Sequence, residues 1–210
     1  MYVKEILVFY KKWRCMKNTT MAMIIKDTTE ITSAVFANLK LCNFDKYLIG
    51  IDDKYTDDSI HTYIKQHNFD YIYFTFENFA QARNDVIKYV TTKYCFVVDS
   101  DETLPVYLAD GLNIDAILQK VDAVSMPRYN WEDLFMKKLH FDMQRNEDRQ
   151  LRIFRTDKGI QYTGKVHETL TTSNIKHLQL NELFINHFAF ALRTADDWAI
   201  KNQFYKELLK

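Results

Sequence analysis

Glycine and proline are scarce in this chain of 210 residues, at four and two, and Gly50, Gly111, Gly159 and Gly164 stand too far apart to build G-x-G-x-x-G or a P-loop. That spacing argues against a nicotinamide-dependent oxidoreductase and a P-loop NTPase, which cradle phosphate on clustered glycines. Cysteine is scarce too. Cys15, Cys42 and Cys95 are odd in number and lack C-x-x-C spacing, which speaks against a disulfide framework or a structural zinc site and fits a reducing compartment. No apolar run approaches the roughly 20 residues that span a bilayer. The run 6–10 is shorter than a secretory h-region and lacks a small-residue cleavage site, so the expected location is cytoplasmic, without a transmembrane segment. Neither sign of charge is in excess: Lys plus Arg and Asp plus Glu are both 28, so no general attraction to nucleic acid is expected and recognition falls to local sites. Lys11, Lys12, Arg14 and Lys17 make residues 1–20 a basic arm, read as a solvated charged segment, and Asn18-Thr19-Thr20 reads as a polar loop.

Hydrophobic residues make up 47% of the chain, enough for one real core, and residues 21–210 read as a single α/β domain. The runs 21–26, 47–51, 71–76 and 94–98 read as strands. Between them, 31–41, a segment from Asp57-Asp58-Ser59, and the face Phe79, Ala82, Arg83, Val86, Ile87 and Val90 read as helices. Such alternation predicts a parallel sheet with right-handed crossovers, whose ligands lie outside the carboxyl ends of the strands. Residues 21–105 therefore read as the nucleotide-binding half. In 106–210, read as the acceptor half and lid, 123–126 and 151–154 are candidate strands, 137–150 a polar loop and 183–190 an apolar run. Thr194 opens a terminal helix through Trp198, Phe204 and Leu208, with Lys201 and Lys206 expected on its wet side.

The sharpest local signal is Phe96-Val97-Val98-Asp99-Ser100-Asp101-Glu102. In an extended chain Asp99 and Asp101 face the same side, so both carboxylates can converge on a hard divalent cation, Mn²⁺ or Mg²⁺, while a pyrophosphate fills other coordination positions. A second acidic strand end, Asp52-Asp53, follows the run 47–51.

Residues 49–58, with Asp52, Asp53, Asp57 and Asp58, resemble the "VVDDGSTD" segment of family 2 glycosyltransferases of the GT-A fold. Residues 79–84, then 96–102, resemble that family's "ARN…FLDADE" stretch. The blocks 151–155 and Val166-His167-Glu168 resemble the "RLFR" and "VHE" blocks of a branch that includes lipopolysaccharide-core glucosyltransferases. Together the matches run from about residue 21 to residue 187. The resemblance implies a GT-A α/β fold, with a Rossmann-like N-terminal half and a mixed central sheet. It implies a metal-dependent, inverting, hexosyltransferase-type enzyme using a nucleotide-sugar, a UDP-sugar, on a glycan, lipid-linked or protein acceptor. It also implies Asp52 or Asp53 near the base and ribose, Arg83 near the nucleotide, and Asp99, Ser100 and Asp101 at the metal and diphosphate. Two departures stand out: Lys26-Asp27-Thr28-Thr29-Glu30 replaces the usual Asn-Glu pair, and Lys54 the turn glycine.

Inverting transfer needs a carboxylate to take the acceptor's proton, and the candidates are Glu168 and Asp148. His187 is a candidate third metal ligand or a core histidine, and His167 a candidate to orient Glu168 or contact the diphosphate. Arg152 and Arg155, on two sides of a strand-like block, are candidates for a phosphate clamp or for surface cover, and Trp131 for stacking on an acceptor sugar or for packing. Rival readings remain. Asp99 and Asp101 also fit the nucleophile and acid/base of a haloacid-dehalogenase-type phosphatase, for which Asp196-Asp197 is the only late acidic pair. A nucleotidyltransferase lacks its Gly-rich opening loop here, and a non-catalytic nucleotide-sugar-binding relative is the third alternative.

Overall fold

The computed structural model describes residues 10–12, 16–25, 31–54, 59–105, 107–109, 113–140, 148–171 and 173–210. The expected helix start at Asp57-Asp58, the segment 26–30, Cys15 and Gly111 lie outside them. The chain opens with β1 (Tyr10–Lys12), β2 (Met16–Ile25), α1 (Thr32–Leu41), β3 (Phe44–Asp52), α2 (Ser59–His67), β4 (Asp70–Phe74), α3 (Phe79–Ile87) and β5 (Tyr94–Val97). Strands β4, β3, β2 and β5 lie in that order and pair in parallel throughout, as the alternation predicts.

Strands β2, β3 and β5 read as near-continuous apolar runs because both faces of the sheet are covered there, whereas β4, at the edge, leaves Tyr71 and Tyr73 exposed. Alternate residues of β2 serve opposite faces: Met21, Met23 and Ile25 join Val35, Phe36 and Leu39 of α1 and Ile60 and Ile64 of α2 in one core. Ala22 joins Leu48, Phe74 and Val97 against Ala82 and Val86 of α3 in the other. Gly50 lets α3 approach so closely: a Cβ there would stand 2.2 Å from Val86 Cγ2.

The sequence reading of residues 18–20 as a loop is corrected. Thr19 and Thr20 are buried in β2 opposite Tyr94 and Cys95, and their hydroxyls are satisfied internally, Thr20 by Thr92 at 2.7 Å and Thr19 by the Lys17 carbonyl. Polar residues hid a strand because threonine meets its hydrogen-bonding need locally while favouring β geometry.

The second half comprises β6 (Glu102–Thr103), β7 (Tyr107–Ala109), α4 (Ile114–Leu118), β8 (Ala123–Asn130), β9 (Arg149–Arg155), β10 (Tyr162–Thr163), β11 (Thr169–Leu170), β12 (His177–Gln179), β13 (Ile185–His187), α5 (Ala189–Leu192) and α6 (Ala195–Leu208). Strand β9 runs antiparallel to both β5 and β8, β13 parallel to β8 and β6 antiparallel to β13, so the central sheet is mixed. The run 183–190 is not one element, because β13 ends at His187 and α5 begins at Ala189. Of the expected loop 137–150, residues 149–150 belong to β9 and 141–147 lie outside the described residues. Helix α6 starts where Thr194 predicts, through a capping box in which Thr194 and Asp197 satisfy each other's backbone N–H groups. Among the described residues no helix is long and apolar enough to cross a membrane.

Candidate functional site

Beyond β5 the chain turns rather than extending. The Asp99 carbonyl accepts the Glu102 N–H at 3.0 Å, and Glu102 Oε2 accepts the Asp99 N–H at 2.9 Å. The two-residue alternation of a strand therefore does not apply, and Asp99 and Asp101 meet different partners. Ser100 occupies the turn between them, partly buried.

Asp99 sits between two guanidiniums. Its Oδ1 is 2.7 Å from Arg83 Nη2 and its Oδ2 3.1 Å from Arg152 Nη2. Arg83, from α3, also donates through Nε to Glu168 Oε1 at 2.6 Å; Arg152, from β9, also reaches Glu102 Oε1 at 2.6 Å. Glu102, fully buried, faces Arg128 of β8 at 3.7 Å, and Arg128 in turn holds Asp148 Oδ2 at 2.9 Å through Nε and Nη2. A continuous chain of charge thus runs Glu168, Arg83, Asp99, Arg152, Glu102, Arg128, Asp148 across the ends of α3, β5, β8 and β9. Burial alone would raise the pKa of Asp99, but Arg83 and Arg152 outweigh it and hold the carboxyl well below the usual carboxylate range. Burial prevails at Glu102, whose pKa is raised despite Arg152. Arg83 Nη1, Arg152 Nε and the Tyr162 hydroxyl, which lies in the residue under the Arg83 guanidinium, are buried without a partner in the protein, places for ordered water or ligand oxygen.

Asp101 belongs to a second set. Its Oδ1 lies 3.6 Å from His187 Nε2 and its Oδ2 3.3 Å from Arg193 Nη1. His187 Nδ1 is 2.5 Å from Asn130 Oδ1, while Asn130 Nδ2 donates to Asp148 Oδ2 at 3.2 Å. Because that carboxylate only accepts, the Asn130 amide oxygen faces the histidine, so Nδ1 carries the proton and Nε2 is the atom directed at Asp101. At 3.6 Å the pair is too long for a hydrogen bond but close to the ~3 Å that separates neighbouring ligands around a small octahedral cation. Asp101 and His187 stand at a separation that two ligands of one divalent ion could have, with the Asn130 contact orienting the imidazole from behind; among the described residues no group of three or more His, Cys, Asp or Glu side chains could hold a metal ion. Asp99, with both oxygens on guanidiniums, is not turned toward them. Burial raises the Asp101 pKa, and His187 in its protonated form, with Arg193, more than reverses this, bringing it to about 2.

Asp52, buried, accepts the Lys54 N–H at 3.2 Å, and exposed Asp53 accepts the Thr75 hydroxyl at 2.5 Å. Both stand at the carboxyl end of β3, two strands from β5. Asp148 is half-buried, with both oxygens engaged, since Gln150 takes Oδ1; burial raises its pKa, but Arg128 outweighs this and lowers it. Glu168 offers only Oε1 to Arg83. Arg155 points away from Arg152, pairing with Asp157 and Asp122, so the two arginines divide between network and surface. Trp131 donates its indole N–H to Asn186 at 2.9 Å, and the His167 ring packs on Tyr205. Lys201 is not on a wet face: it is half-buried over the rings of Trp198 and Tyr205, whereas Lys206 is exposed.

Sequence reasoning passed over Glu102, Arg128, Asn130, Arg193 and the position of Lys201. The signal available was Arg128 and Asn130 two apart on one strand, a polar face where an apolar one was due. Asp196-Asp197, the late pair a phosphatase would need, open α6, with Asp197 spent on its cap.

No family model matches the chain, and no curated protein is similar to it in sequence. In fold it is similar to S. aureus TarS. A crystal structure of TarS 1-349 superposes with a TM-score of 0.52 at 12% identity, over 79% of this chain and 59% of that one. A structure of TarS gives 0.50 at 11% identity, over 77% and 36%. The chain thus spans less than two thirds of the length of either. The likeness concerns the fold and not the lipopolysaccharide-core branch, and with the mixed sheet it bears out the GT-A architecture expected from the sequence.

Proposed function

We propose that the chain is a glycosyltransferase that moves a hexosyl group from a nucleotide-sugar, a UDP-sugar by its family 2 resemblance, to an acceptor hydroxyl on a glycan, lipid-linked or protein acceptor, with inversion. The observation that carries this reading is the pairing of Asp101 with His187 beside a buried arginine network at the carboxyl ends of parallel strands, where α/β sheets of this kind bind nucleotides. Asp52 and Asp53 would receive the base and ribose. Asp101 and His187 would hold Mn²⁺ or Mg²⁺, which when bound neutralises developing charge on the diphosphate. Asp99 and Ser100 line the same turn; Asp99 acts by holding Arg83 and Arg152 in place.

In the transfer, the acceptor oxygen forms a bond to the anomeric carbon as the bond to the β-phosphate oxygen breaks. The acceptor proton passes to a carboxylate and the nucleoside diphosphate leaves. Glu168 is the better base, because among the described residues nothing engages its Oε2, whereas Asp148 spends both oxygens and has a lowered pKa. Glu168→Gln should lower kcat about 100-fold or more with KM for the donor little changed, and Asp148→Asn should cost less. The reverse ranking would move the base to Asp148.

The test of the donor site is calorimetric titration with nucleoside diphosphates, with and without Mn²⁺, on wild type and Asp101→Ala. Binding of one nucleotide that needs the metal and is lost in the variant supports the reading. Absence of nucleotide binding under every metal condition overturns it.

A further inference from the structure

The arginines of the buried network are all paired. Arg83, Arg128, Arg152 and Arg193 each have a carboxylate within ion-pair distance. Lys201 is the exception: among the described residues no carboxylate lies within ion-pair distance of it, although the fields of Arg193, Asp101, Asp99 and Arg128 reach it. Its Nζ sits 4.9 Å from the Trp198 ring centroid and 5.3 Å from that of Tyr205. Those rings fix it from both sides, since Trp198 also packs on Phe190 and the Arg193 guanidinium, and Tyr205 on Phe79 and His167. Helix α6 is therefore held against α3 and the Glu168 segment, and Trp198 carries both Lys201 and the Arg193 guanidinium that reaches Asp101. A half-buried ammonium supported only by ring faces lacks the counter-ion that burial calls for. Burial and Arg193 accordingly hold it below the ordinary lysine pKa.

We propose that Lys201 binds the β-phosphate of the donor and of the departing nucleoside diphosphate, so that α6 supplies the counter-charge the arginine network cannot spare. This rests on the reading that a nucleotide-sugar occupies the Asp101 side of the site. The phosphate oxygens would replace ring faces as the main partner of the ammonium, and Arg193, already at Asp101, would flank it.

The experiment compares UDP and UMP binding by calorimetry, with Mn²⁺ present, for wild type, Lys201→Met and Lys201→Arg. Lys201→Met should weaken UDP about tenfold or more while changing UMP less than about twofold, and Lys201→Arg should restore most of the loss. A Lys201→Met protein that keeps the wild-type ratio of UDP to UMP affinity overturns the proposal and leaves Lys201 as a packing residue. Wild type that binds neither nucleotide overturns the function itself, a separate result. Should Lys201→Met fail to fold, reductive methylation of wild type read by mass spectrometry decides: UDP should protect Lys201 and UMP should not, and equal labelling under both overturns the proposal.

Discussion

Two acidic strand ends stand on the same sheet, Asp52-Asp53 after β3 and Asp99 to Glu102 after β5, and they are built differently. Asp52 accepts a hydrogen bond from the backbone N–H of Lys54 and Asp53 one from the hydroxyl of Thr75, the residue after β4. Asp99, Asp101 and Glu102 are held by arginines that arrive from α3, β8, β9 and the segment before α6, between 16 sequence positions upstream and 92 downstream. The first end is a local feature that tolerates change; the second is a junction where charge was buried and had to be matched. A buried charge left without its partner is costly, so the second end couples the fold to the site, whereas the first leaves the site free to be tuned.

The sharpest way to break that contrast is to remove one arginine. Arg152→Met strips both Glu102 and Asp99 of a buried partner and should cost about 3 to 5 kcal/mol, a fall in Tm of about 10 °C, measured by thermal unfolding. Adding Glu102→Gln should return part of it, since the charge left unmatched is then gone. A loss under about 1 kcal/mol would mean that the network contributes no more than a surface pair.

Acid should act on the same end. The folded pKa of Asp101 is lowered to about 2 from 3.8, so its ionisation contributes stability that is fully present above the unfolded value and lost as pH falls through the folded one. The expected contribution is about 2 kcal/mol at neutral pH. Denaturation midpoints followed from about pH 5 to about pH 2 should fall more steeply for wild type than for Asp101→Asn. Parallel curves would refute the assignment.

The smallest effect belongs to the other end. Asp53→Ala should change stability by less than about 0.5 kcal/mol. Under the proposed function it should weaken nucleotide binding about threefold to tenfold, the value of one or two hydrogen bonds. A destabilised Asp53→Ala protein would erase the distinction between the ends.

The parallel half was legible because β2, β3 and β5 are apolar on both faces and helices alternate with the strands, Asn78 marking the start of α3 by its cap. Strand β2 was legible only from Met21 onward, because Lys17, Asn18, Thr19 and Thr20 look like a loop when their partners across the sheet are unknown. Among site residues, Asp99, Asp101, Arg83, Glu168, Asp148 and His187 were all nominated, and the structure gathers them into one connected set of contacts. Their assignment to partners was not legible: the extended-chain geometry that would have joined Asp99 to Asp101 gives way to a turn, and Lys201, on paper a solvated helix lysine, is half-buried.

By itself the sequence determined the alternation of strands and helices from β2 to β5, the two-sided apolar character of β2, β3 and β5, and which carboxylates fall at the ends of β3 and β5, since all of these depend on neighbours along the chain. Only the tertiary structure decided that Asp99 is bound to arginines while Asp101 faces His187, that Glu168 meets Arg83, and that Lys201 of α6 is half-buried over Trp198 and Tyr205. The physical reason is range: propensity and periodicity act over a few residues, whereas a buried charge must be matched by whichever residue the fold brings within ~4 Å.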